Sequence, residues 1–139
     1  MKNYMEMQFS ATLKNVSFAR ATVACFLLEQ DLTLNVINEI KTIVSEAVTN
    51  AVVHGYAEDP GKLVFMSLSL EEGKLTITVR DDGVGIPDVK KAREPLFTTR
   101  EDEDRAGLGF TIMEIFSDSV EVLSEVGRGT TVICTKMLG

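Results

Sequence analysis

The sequence predicts an α/β (α+β) two-layer sandwich, a mixed β-sheet with helices on one face, and three observations lead there. Short runs of alternating apolar and polar residues recur near the start, in the middle and at the end of the chain. Two longer segments instead repeat their apolar residues at helical spacing. The resulting order is strand, helix, helix, strand, strand, long loop, helix, strand, strand, which interleaves the two kinds of element and so stacks helices on a sheet. At 139 residues and 45% hydrophobic content the chain fits one domain, 1–139, with enough apolar side chains for a sizeable core.

Composition narrows the function classes. No stretch is apolar for long enough to span a bilayer, and the first residues lack the apolar core of a signal peptide, so a cytoplasmic protein is expected. A net charge of −7 argues against a nucleic-acid backbone or an anionic membrane as the main partner. Cys25 and Cys134 lack metal-ligand spacing and read as buried thiols.

The first strand is expected over Met5 to Ala11, where Met5, Met7 and Phe9 alternate with polar residues. A helix follows from about Val16 to Gln30. It carries two apolar stripes: Val16, Ala19, Val23, Phe26 and Leu27 on one side, Phe18, Ala21, Cys25 and Leu28 on the other. Such a helix is either sandwiched within its own domain or covered by another chain. The second case makes this helix and the first strand a homodimer or partner surface, with Arg20 a candidate partner contact. In the first case Arg20 snorkels at the helix edge.

A second helix is expected from Leu34 to His54, with Ile37, Ile40, Val44, Ala47, Val48 and Ala51 as its core face and Gly55 as its stop. Glu46 and Asn50 then lie one turn apart on a single face. Two strands follow, Leu63 to Leu70 and Lys74 to Arg80, joined through Glu72-Gly73. In the second of them Leu75, Ile77 and Val79 share one face, and Asp81 comes next in that register. A carboxylate is thereby sent inward, where it is costly unless hydrogen-bonded, and Gly83 and Gly85 just beyond let backbone approach whatever bonds it. This is the pattern of a ligand site. Pro87 to Gly107 reads as a long charged loop, of the kind used as a lid or binding loop. The last helix is expected from Leu108 to Phe116, and strands near Val120 to Val126 and Thr130 to Met137 close the chain.

Taken singly these motifs are weak, because glycine pairs and a Glu and Asn four apart recur without function. Their joint order is informative. Glu46-x-x-x-Asn50-Ala51-x-x-His54, Asp81-x-Gly83-x-Gly85, Phe97-Thr98-Thr99, Gly107-Leu108-Gly109 and Gly127-x-Gly129-Thr130 together resemble the GHKL superfamily of ATP-binding domains, the Bergerat fold. The resemblance covers nearly everything from Leu34 onward, and within the superfamily it is nearest to the anti-sigma factor serine kinases.

That resemblance implies ATP or ADP with Mg2+ as cofactors, and roles for individual residues. Asp81 would accept the exocyclic amine of adenine and disfavour guanine, with Thr130 adding a hydroxyl at the same edge. Asn50 would offer its amide oxygen to Mg2+. Gly107, Leu108, Gly109 and Phe110, opening a helix, would present backbone N–H groups to phosphate, although Phe110 departs from the smaller or aliphatic residue common there. Thr98 and Thr99 would hold the lid or touch phosphate. Glu46 would be the general base, and Arg105, ahead of Arg100, the cation that counters phosphate charge. Either arginine can instead pair with the acidic run Glu101 to Asp104. His54 reads as structural.

The superfamily holds ATPases, histidine kinases and serine kinases, so the fold leaves the activity open. The single histidine lies inside the nucleotide motif, which disfavours self-phosphorylation on histidine. Gyrase-like and chaperone-like ATPases take a transducing lysine from a following domain, and none is expected after Gly139. The expectation is therefore an ATP-dependent serine/threonine protein kinase. Its implied partners are a sigma factor that it holds inactive and an anti-anti-sigma protein that it phosphorylates on serine. Two alternatives stand beside it: a sigma-binding module in which nucleotide is structural, and a detached histidine-kinase catalytic domain.

Overall fold

Alternation of apolar residues builds the sheet. A computed structural model describes residues 2–94 and 101–138, with the backbone alone for 101–107. Five strands, β1 (Lys2–Ser10), β2 (Leu63–Glu71), β3 (Lys74–Asp81), β4 (Ser119–Glu125) and β5 (Gly129–Met137), pair in the order β1-β2-β3-β5-β4. Val64, Met66, Leu68 and Leu70 of β2 face the same side as Leu75, Ile77 and Val79 of β3 and Val132 and Cys134 of β5, and all are buried there. Asp81 continues that inward row, as its register required, opposite Thr130.

Every strand pairing is antiparallel, which corrects the expected mixed sheet. β3 and β4 do run the same way. The hairpin return strand β5 lies between them, so among the described residues no two parallel strands are neighbours.

The helices cover the inward face. α1 (Lys14–Phe26) buries Ala19, Val23 and the following Leu27, and is shorter than expected because the chain loosens into turns after Phe26. Its other stripe is open: Phe18 is 53% and Leu28 78% exposed, and Cys25 is exposed too, against the expectation of a buried thiol. The sandwiched alternative for this helix is therefore excluded.

α2 (Leu34–Asn50) starts at Thr33, whose hydroxyl accepts the Val36 N–H at 3.2 Å. Ile40, Ile43, Val44 and Val48 are fully buried, each contributing roughly 1.5–3 kcal/mol relative to exposure. Beyond Asn50 the helix widens into a π-helical turn, Ala51–Gly55, in which Tyr56 N–H reaches back five residues to Ala51 O at 3.1 Å.

The stretch expected as one long loop is partly helical. α3 (Val89–Arg93) is capped by Asp88, which accepts the Lys91 N–H at 3.1 Å. α4 (Glu101–Phe116) begins seven residues earlier than expected. The run Glu101-Asp102-Glu103-Asp104, read as loop because of its charge, suits the positive end of a helix. Among the described residues no helix is long and apolar enough to cross a membrane.

Candidate nucleotide site

β3 delivers Asp81 to the end of the sheet nearest the π-helical turn. Its side chain is 3% exposed and accepts the Gly83 N–H at 2.9 Å. Burial pushes its carboxyl up to about 6, against the opposing effect of the Gly83 and Thr130 backbone amides. The surrounding backbone is packed so closely that side chains are excluded. A Cβ on Gly55 would lie 2.6 Å from the Asp81 carboxylate, and one on Gly83 would lie 2.0 Å from Gly55 O. Val84 N–H donates to that same Gly55 carbonyl at 3.1 Å. Gly85 has φ +77° and rests on the Glu125 backbone, where a Cβ would come within 2.3 Å of the carbonyl.

The sequence marks Gly55 only as a helix stop. In the fold it packs directly against the Asp81 carboxylate, and the left-handed residues that turn the chain come later, at Ala57 and Glu58. The one sequence signal was its place directly after His54 in the helix motif.

Glu46 and Asn50 share one face of α2, as their spacing demanded. Asn50 is buried at the helix end. Burial raises the Glu46 carboxyl above its ordinary value. α4 crosses α2 at this point, and a Cβ on Gly109 would sit 3.1 Å from Glu46 Oε2. Arg20 of α1 donates to Ser45 Oγ at 3.0 Å, beside Glu46 in sequence.

Several site expectations are placed differently. Gly107 and Gly109 lie inside α4, not at its start, so their amides fall within the helical ladder. Phe110 is wholly buried and packs in the core, while Leu108 is exposed. Thr98, Thr99 and Arg100 lie outside the described residues, as does the side chain of Arg105.

An antiparallel sheet under helices, with an inward aspartate in a glycine cradle and a Glu and Asn on the adjoining helix, defines an ATP-binding domain of the Bergerat type. A histidine kinase-like ATPase domain matches residues 9–136. Among curated relatives, the anti-sigma F factor of Geobacillus kaustophilus (strain HTA426) is 56% identical over 136 residues, covering 98% of this chain and 93% of its own. That of Bacillus cereus (strain G9842) is 51% identical over 138 residues, covering 99% and 94%. The chain belongs to the histidine kinase-like ATPase family and, within it, to the anti-sigma F factors. In the RsbU and RsbW domains of Rv1364c from Mycobacterium tuberculosis the same fold recurs with a TM-score of 0.69 at 22% identity, over 98% of this chain and 32% of that one. The blue-light activated histidine kinase EL346 of Erythrobacter litoralis matches with a TM-score of 0.58 at 26% identity, over 78% of this chain and 32% of that one.

Proposed function

We propose that this protein is an anti-sigma factor that binds and inhibits a sigma factor and, as an ATP-dependent serine kinase, phosphorylates an anti-anti-sigma protein. The observation that carries the reading is the buried Asp81 carboxylate in a cradle too tight for any Cβ at Gly55 or Gly83. A carboxylate held there has to find donors, and the exocyclic amine of adenine supplies them where the oxygen of guanine does not. Thr130, opposite Asp81 on β5, adds its hydroxyl to the same edge.

At the phosphate end Asn50 would offer a neutral amide oxygen to Mg2+. The ion would neutralise charge on the phosphates. The chemistry of the site fits this role: Asn50 carries a hard, neutral oxygen donor at the end of α2, one turn beyond Glu46. Glu46 takes the proton from the attacking serine hydroxyl as the new O–P bond forms and the bond to the ADP oxygen breaks. Burial raises the basicity of Glu46 towards that task. On the resemblance alone, Arg105 counters the developing phosphate charge, and Thr98 and Thr99 belong to the lid. For Gly107 and Gly109 to offer amides to phosphate, the first turns of α4 have to open when nucleotide binds.

The open apolar stripe of α1 supports a homodimer or partner surface formed with β1, Arg20 at its edge contacting the partner. The setting is the cytoplasm of a sporulating cell. Incubation with γ-labelled ATP and the anti-anti-sigma protein is expected to yield acid-stable label on serine. No transfer with sigma binding intact would leave the sigma-binding module, and acid-labile label would point to a histidine acceptor.

A further inference from the structure

Two hydroxyl groups outside every motif quoted above hold the Asp81 loop at its two ends. Tyr56, buried at the foot of the π-helical turn, accepts the Asp82 N–H at 2.6 Å and donates its own proton to Leu63 O at 2.7 Å. Its one proton is thus spent on β2, and its lone pairs fix the residue next to Asp81. Ser124 of β4 accepts the Ile86 N–H at 2.7 Å. Its Oγ also lies 2.8 Å from Thr130 Oγ1 and 3.1 Å from Gly129 O. Between these anchors run Gly83 and Gly85, and Asp81 stands immediately before the first.

We propose that Tyr56 and Ser124 are positioning residues for base recognition: Tyr56 sets where the Asp81 carboxylate stands, and Ser124 sets which way the Thr130 hydroxyl points. This rests on the nucleotide reading given above. Ser124 has one proton and two neighbours that can take it. When it donates to Gly129 O, Thr130 must donate to Ser124 and turns lone pairs to the pocket; when it donates to Thr130, the Thr130 proton is freed for the base. Without Ser124 the Thr130 hydroxyl rotates freely, and the Ile86 amide loses its partner. Without the Tyr56 hydroxyl the Asp82 amide loses its partner likewise, and the turn bearing Asp81 is free to shift. Neither change touches the nucleotide, so each should act through geometry at the base.

The test is calorimetric binding of ADP and of inosine diphosphate, which differs from ADP at position 6 of the purine, to wild type, Tyr56→Phe and Ser124→Ala. ADP affinity is expected to fall about fivefold in each variant, the loss of one net hydrogen bond. Affinity for inosine diphosphate should change little, so the preference for adenine narrows, and Ser124→Thr should restore it. A purely structural role would lower the unfolding midpoint and weaken both nucleotides alike. A wild-type preference ratio in either variant would overturn the assignment for that residue. If wild-type protein bound no ADP at all, the nucleotide reading would fall first and take this one with it.

Discussion

Titrating Asp81 in the absence of nucleotide should make the folded protein more stable. Its carboxyl stands at about 6 in the fold against an ordinary value of 3.8, because burial penalises the charged form more than the Gly83 and Thr130 amides reward it. Between those two values the folded chain holds more protons than the unfolded one, so stability falls as pH rises. With both states ionised, the gap amounts to about 3 kcal/mol of destabilisation, of which about 1.4 kcal/mol is regained on going from about pH 7.5 to about pH 5. Asp81→Asn cannot titrate. Its amide brings a donor where the cradle offers donors, an offset that is the same at every pH. Urea unfolding of both proteins at the two pH values therefore isolates the effect: the wild-type minus variant difference should move by about 1.4 kcal/mol in favour of wild type at the lower pH. A difference flat to within about 0.3 kcal/mol would refute the idea that an unrelieved charge is stored at this site. Saturating ADP should remove most of the shift, since an amine donating to the carboxylate stabilises its charged form.

Other perturbations have equally definite outcomes. Glu46→Gln should cut phosphate transfer by about 10²- to 10⁴-fold with ADP affinity largely kept, and the wild-type rate should fall on the acid side at a pH above the ordinary value for a glutamate. Gly55→Ala places a methyl group 2.6 Å from the Asp81 carboxylate, so ADP binding measured by calorimetry should be lost while circular dichroism shows the fold retained. Lys136 donates to Phe116 O at the C-terminus of α4 at 2.6 Å and pairs with Glu39 of α2 at 3.1 Å; Lys136→Met should cost about 1–3 kcal/mol in chemical unfolding.

Much of this was legible because periodicity is a local property. The alternation of β2 and β3 placed Asp81 on the inward face, and the four-residue step from Glu46 to Asn50 placed both on one side of α2. What escaped was decided between segments. Whether β3 and β4 are neighbours depends on where β5 inserts, and no residue of either strand encodes that. The start of α4 was missed because four acidic residues read as a solvated loop until their position at a helix N-terminus is known. Gly55 looked like a stop signal because a glycine after a helix usually is one, whereas here its missing side chain serves a carboxylate 26 positions on. Phe110, counted with the phosphate segment, belongs to the core because α4 turns it inward.

If Asn50 meets the metal and Asp81 the base, as proposed, the widened turn Ala51–Gly55 makes one rod serve both ends of the nucleotide. Glu46 and Asn50 ride on its regular part and Gly55 on its distended end, so the spacing between the metal side and the base side is written into the winding of a single helix. Deleting one residue between 51 and 54 would rewind that end and swing the glycine about 100° around the axis, while leaving Glu46 and Asn50 where they are. On the proposed reading, such a protein would keep Glu46 and Asn50 in register and lose affinity for ADP. That helical segment should therefore tolerate exchanges of side chain far better than any change in length.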